Sequence, residues 1–330
     1  AYNEGDVAFV MAAGSPDKNR SHFQAEARIE YGTPNQPQLT FDGFLARYLA
    51  VAPTLGSPLR GAALSFNRLI PKCLAFAEKT QAFVATDEMV FPGNTQTIDP
   101  LLRRYEAQTE GSLKAGVLNT FDVIDLLAQV DTTPHPLAKY NGSEFGERMR
   151  NMAALIKAGI NIELAYVDRT GWDNHANQRP HKGDGGMYDR LKDLAQNLAA
   201  FRIDLQQAGK WDDVVVVEQG EFGRQNNENG NFGSDHGNAG IMTVMGGSVN
   251  GGLRSKRFDG LTDGWPGLEP TELQNQGQAD AMRVTIDYRW VIGEIFMKCM
   301  GVDAATLNNM IFNTQGEMPP YMYQDLGLIS

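Results

Sequence analysis

Residues 213–240 read DVVVVEQGEFGRQNNENGNFGSDHGNAG, and this stretch decides the class of fold. Four valines, Val214 to Val217, stop abruptly at a polar loop rich in Gly and Asn. That loop carries Glu221, Arg224, Asp235 and His236. An unbroken β-branched apolar run predicts a strand buried on both faces, as in the parallel sheets of α/β proteins. Such sheets bind ligands in the crevice beyond the carboxyl ends of their strands. The polar loop therefore sits where chemistry is expected.

Residues 161–178, NIELAYVDRTGWDNHANQ, have the same design. An apolar strand, Ile162 to Val167, runs into a loop bearing Asp173, His175 and Gln178. Two strands thus deliver two Asp/His pairs, Asp173/His175 and Asp235/His236, to one rim of one sheet. Carboxylate oxygen and imidazole nitrogen together suit a divalent cation. A catalytic metal site is the leading inference, with zinc, calcium, magnesium and manganese all open.

Outward from these loops the pattern alternates. Val7 to Ala12 predicts a strand after only six residues, so the chain is expected to begin inside a fold. A turn, GSPDKN, leads to a helix from about Ser21 to Tyr31, closed by Gly32. A short amphipathic helix is expected over residues 41–50, and residues 51–120, rich in Pro, Gly and Thr, read as an irregular insertion or cap. Phe145, Met149, Met152 and Ile156 recur at helical spacing, as do Leu191, Leu194, Leu198, Phe201 and Leu205 up to Gly209. Ile241 to Met245 predicts another strand. Val284, Tyr288, Val291 and Ile295 predict a last helix ending at Gly301. Strand–helix alternation implies βαβ units and a largely parallel sheet, in one α/β domain spanning 1–330.

The chain has 330 residues, 42% hydrophobic and 21% charged, ordinary values for a globular protein. Its formal net charge of -11 argues against general affinity for nucleic acid or anionic membranes. Phosphate and sulfate esters stay admissible, because a bound cation dominates the local field. No apolar run approaches the roughly 18 residues of a membrane span, and the acidic opening AYNEGD is no signal peptide. Of the two cysteines, Cys73 and Cys299, the second lies in an apolar helical pattern and is expected in the core. The glycines of MGGSVNGG lack the Gly-Lys-Ser/Thr of a phosphate loop, no dinucleotide fingerprint follows a strand, and G-x-S-x-G is missing.

GWDNHANQ, EFGRQNNENG, GSDHG, MTVMGGSVNGG, TIDYRWVIGEI and the early NRSHFQAEARIEYG together resemble the bacterial family called domain of unknown function 1501. That family is placed in the alkaline phosphatase/sulfatase superfamily. The resemblance implies an alkaline phosphatase-like α/β/α sandwich, export to the periplasm or beyond, and a metal-dependent hydrolase site. The implied substrate is a small anionic ester, such as a sulfated or phosphorylated glycan. Asp235-His236 resembles the superfamily's Asp-His metal pair, and Asp173/His175 its other pair, at closer spacing than usual. Ser21 lies where the superfamily holds its nucleophile. Three departures stand out: Gly220 replaces a usual Ser, an opening strand with a Gly-rich loop is missing, and no His follows His236. A partner chain or oligomer contact is one way to cover the missing strand. A truncated chain and a branch without catalysis, kept for binding or assembly, are the alternatives.

Each candidate also has a plain structural reading. Asp235 can make an Asx turn, and Asp173/His175 a turn anchored by Trp172. Ser21 with Gln24 fits a capping box, although the same helix end suits an anionic ester and a metal beside the hydroxyl would make it nucleophilic. His22 is a candidate ligand or proton donor, or a partly buried polar residue. Glu221 is a candidate base and Arg224 a candidate clamp on phosphate or sulfate; alternatively the two pair with each other. Gln178 and His181 suit a supporting or surface role. Asp287 and Arg289 read as an internal salt bridge.

Overall fold

The computed structural model describes residues 2–35, 41–52, 62–67, 69–77, 80–82, 129–160, 162–178, 186–256, 265, 267–269, 273–274, 281–317 and 321–330. Strand β1 (Val7–Gly14) is the central one. Val7, Ala8, Val10, Ala12 and Ala13 are buried, so this strand, rather than the valine run, is enclosed on both faces. On one side it pairs with β6 (Gly240–Gly246), which pairs in turn with β5 (Val215–Glu218). Its other side is shared by β7 (Gly252–Arg254) and β10 (Ile286–Asp287). A second sheet holds β2 (Ala62–Ser65) between β3 (Thr80–Ala82) and β4 (Ile162–Tyr166). A small hairpin pairs β8 (Leu273–Gln274) with β9 (Ala281–Met282).

The main sheet is mixed, not largely parallel. Its longest pairings, β1 with β6 and β6 with β5, are antiparallel; parallel pairing is confined to the flanks of β1 and to the second sheet. The physical reason lies between β5 and β6. A parallel neighbour needs a crossover of a dozen or more residues, usually a helix, whereas residues 219–239 form no helix and double back. The valine strand ends the sheet path among the described residues, so its side chains are half-buried.

Alternation along the strands divides the interior in two. Val215 and Val217 pack with Val10, Met242, Val244 and Ile286 against α1 (His22–Tyr31), α2 (Phe44–Val51) and α5 (Tyr288–Cys299). Val214 and Val216 pack with Val7 and Met245 against α3 (Glu144–Lys157) and α4 (Met187–Gln207). Leu164 joins the first core, while Leu64 and Ile162 join the second, so both sheets share the same helix–strand–helix layering. Six α-helices occur among the described residues, the last being α6 (Ala304–Thr306), which runs into a π-turn, Leu307–Ile311. None is long and apolar enough to cross a membrane.

Most predicted helices lie where expected. Gly32 closes α1 at φ 70°, the left-handed conformation that glycine adopts without strain. Ser143 caps α3 by accepting the Gly146 N–H at 3.0 Å. The last helix starts late: Asp287 caps it by accepting the Arg289 N–H, which leaves Val284 outside. Cys299 is exposed and Cys73 is the buried cysteine, because α5 turns its final residue to solvent. Much of the cap expected over 51–120 lies outside the described residues, and its described parts supply β2 and β3 rather than irregular chain. Asp287 and Arg289 do form an internal pair, 2.7 Å apart, and Arg289 also reaches Glu317 at 2.6 Å, all three buried.

Candidate metal centre

Three segments converge at one end of the sheets: the start of α1, the loop after β4, and the long loop after β5. Backbone hydrogen bonds clip the two loops together. Asn177 N–H donates to Asn231 O at 3.0 Å, Gln178 N–H to Phe232 O at 2.8 Å, and Ser234 N–H to Asn174 O at 3.0 Å. The long loop also closes on itself through a bridge between Arg224 and His236. Gly233 makes the approach feasible, since a Cβ there would overlap the His175 carbonyl carbon and the Ala176 nitrogen. A backbone-to-backbone approach that close admits only glycine.

At the meeting point three imidazoles surround one carboxylate oxygen. Asp173 Oδ1 lies 3.0 Å from His236 Nε2, 3.0 Å from His175 Nε2 and 3.2 Å from His22 Nε2. His22, Asp173 and His236 each offer one donor atom, and these lie within 4.8 Å of one another. His175 Nε2 stands 2.9 Å from His236 Nε2 on the more exposed side.

The opposite nitrogen of every ring is held. His22 Nδ1 meets Glu221, His175 Nδ1 meets Asp235 at 2.7 Å, and His236 Nδ1 meets the Arg20 carbonyl at 2.6 Å. A carbonyl or carboxylate only accepts, so each Nδ1 is placed to donate, and Nε2 is the ring atom turned toward Asp173. Metal-binding histidines are oriented in this way, with the outer N–H tied to an acceptor. His22 Nε2 is buried and makes no hydrogen bond, despite the nearby Asp173 oxygen. Donors bound about 2.0–2.1 Å from a tetrahedral zinc ion stand about 3.3 Å apart, close to the spacing seen. The residues present therefore fit a divalent ion.

Charge agrees with this geometry. Burial works against the Asp173 carboxylate, but Arg224, His22 and His236 outweigh it and hold its pKa well below the usual range. Arg224 Nη2 reaches Asp173 Oδ1 at 2.7 Å and Trp172 O at 3.1 Å. Burial also opposes charging of His22, yet Glu221 and Asp173 raise its pKa. His175 and Asn229 together lower that of Asp235.

The predicted site residues are thus gathered, with their parts redistributed. Asp173, His175 and His236 face the centre. Asp235 turns away and holds His175, because neighbouring residues of the extended bridge segment point to opposite sides. Its Oδ1 also accepts from Asn229 Nδ2 at 3.0 Å. Glu221 binds His22 and Arg224 binds Asp173, so these two do not simply pair with each other. Ser21 occupies the cap position of α1, but its side chain makes no cap bond, and Gln24 accepts from Asn19 Nδ2 instead of closing a capping box. Ser21 is an exposed residue. Gln178 accepts from Ser234 Oγ at 2.5 Å, bracing the loops, and His181 lies outside the described residues. Arg20, Asn229 and Gly233 went unnoticed in the sequence. For Gly233 the one available signal is its place before Ser-Asp-His, where a close backbone approach requires glycine.

Residues 9–275 match the family model described as "Protein of unknown function (DUF1501)". No curated protein and no solved structure matches the chain.

Proposed function

Since the chain belongs to the DUF1501 family, whose description names no reaction, we propose its activity from the site: metal-dependent hydrolysis of phosphate or sulfate esters, on an alkaline phosphatase-like fold. One observation carries the proposal. Three imidazoles, each locked through Nδ1, turn their Nε2 atoms toward a single carboxylate oxygen.

His22, Asp173 and His236 hold the ion, and His175 stands beside them as a fourth donor. An imidazole-rich set favours zinc and its transition-metal neighbours over calcium or magnesium, which prefer all-oxygen sites. A bound ion of this kind polarises an ester oxygen and stabilises developing negative charge. Arg224 Nη1 is buried without a partner among the described residues, and its N–H supplies a second hold on an anionic oxygen. The start of α1, which carries His22, brings the positive end of the helix dipole to the site. Ser21, exposed at that turn, is the nucleophile the chain itself offers. Glu221 keeps His22 oriented.

The test is turnover of an aryl phosphate and an aryl sulfate by zinc-loaded protein. We expect hydrolysis of at least one, abolished in Asp173→Ala and strongly reduced in Ser21→Ala. Stoichiometric zinc with no turnover of either ester would reject catalysis and leave a metal-dependent binding protein.

A further inference from the structure

A cavity of about 690 Å³ opens beside α1, between the ends of β2 and β4 and the first turns of α3. That volume falls within the roughly 300–1,000 Å³ of small-molecule sites. His22, Glu26 and Glu30 recur every four residues and so share one face of α1. The first belongs to the metal centre and the other two line the cavity. At 1.5 Å per residue, Glu30 lies about 12 Å along the helix from His22.

The lining is polar and mostly satisfied within itself. Lys72 pairs with Glu26 at 2.7 Å and Arg169 with Asp193 at 2.6 Å. Arg148 donates through Nη1 to Asn67 at 2.9 Å and through Nη2 to Glu144. Two groups are left over among the described residues. Glu30 is 6% exposed, its Oε1 accepts from Tyr166 Oη at 2.9 Å, and its Oε2 is buried with no partner. Arg148 Nε is likewise buried with no partner. Burying such groups unpaired costs on the order of 1–3 kcal/mol each, so they point to a ligand that satisfies them.

One is an acceptor and the other an obligatory donor, and this pairing selects the ligand's chemistry. An ammonium only donates and leaves the Arg148 N–H unmet. A phosphate or carboxylate only accepts and meets the Glu30 carboxylate with repulsion. A hydroxyl does both. Leu69 and Ile70, 79% and 47% exposed, and Phe145 add apolar surface for C–H faces. We propose that this cavity binds a neutral, hydroxyl-rich molecule of the sugar or polyol class, held by Glu30 and Arg148. Burial, only partly offset by Tyr166 and Lys72, raises the Glu30 pKa, and burial raises that of Asp168. This site stands apart from the ester chemistry, since none of the residues proposed to hold the ion lines it.

The experiment is saturation-transfer NMR on the full chain with three probe sets. These are neutral monosaccharides (glucose, galactose, N-acetylglucosamine), spermidine as the cation, and glucuronate as the anion. We expect at least one neutral sugar to bind at millimolar concentration. Glu30→Leu and Arg148→Met should each weaken it about tenfold, as loss of one buried hydrogen bond predicts. Glu30→Gln, whose amide still donates and accepts, should retain it. Binding should persist in His236→Ala, which keeps this outcome separate from the fate of the metal centre. No neutral sugar bound, preferential binding of spermidine or glucuronate, or equal sugar binding in both Glu30→Leu and Arg148→Met would each overturn the proposal.

Discussion

His175 and His236 face each other through their Nε2 atoms at 2.9 Å, while the Nδ1 of each is committed to an acceptor, Asp235 and the Arg20 carbonyl respectively. Two lone pairs cannot rest at that separation. A cation held between the donors, as proposed above, relieves that contact.

Asp235 acts through His175, so its loss should loosen the ion without removing a ligand. Asp235→Asn is expected to lower zinc affinity about 10–100-fold, the usual cost of removing such an orienting partner, with unchanged stoichiometry at saturation. Competition against a chromogenic chelator measures this. An affinity equal to wild type would show that Asp235 plays no part.

Gly233 joins the two loops, and Gly233→Ala should force them apart. The substitution is expected to cost about 2–3 kcal/mol and to speed amide exchange in 173–178 and 231–236 together. Faster exchange in only one of those segments would contradict the clip described above.

Arg289 is buried between Asp287 and Glu317. Removing one partner of such a network strands charge in the interior and typically costs about 3–5 kcal/mol. Arg289→Met should therefore destabilise strongly, and adding Glu317→Gln should restore part of the loss. Denaturant unfolding of the two variants decides it; equal stability of wild type and Arg289→Met would refute the network.

Glu218, at the end of β5, has its pKa raised by burial, which the Thr243 hydroxyl at 2.9 Å only partly offsets. A carboxyl raised in the folded state destabilises the fold above that folded pKa, and the penalty fades as pH falls through it toward the unfolded value. Glu218→Gln should therefore raise Tm at pH 8 and lose this advantage near pH 4. A difference in Tm independent of pH would exclude the effect.

Much of this architecture is legible in the residues. β1, β4 and β6, the closure of α1 at Gly32 and the helical stripe of α3 follow from apolar period and turn chemistry. The two Asp/His loops do converge after strands, but not on one rim of one sheet: β4 belongs to the second sheet and β5 to the main one, so the site spans the ends of two sheets. Strand direction was harder to read, because a run of valines carries no polarity. The usable signal was the missing helical pattern between β5 and β6. Ligand identity was also partly hidden. Asp235 and His236 are adjacent, so in extended chain only one can face the centre. His22 reaches it only because α1 starts beside loops distant in sequence. The unpaired groups of Glu30 and Arg148 leave no mark on any local pattern.

His22, Asp173 and His236 are expected to share one ion. Mass-spectrometric metal analysis of protein dialysed against trace zinc tests it most directly. We expect about one zinc per chain in the wild type, as a single tetrahedral set would hold, and little in Asp173→Ala, His236→Ala or His22→Ala, each still folded by circular dichroism. A wild type free of metal, or three variants that keep a full complement, would contradict it.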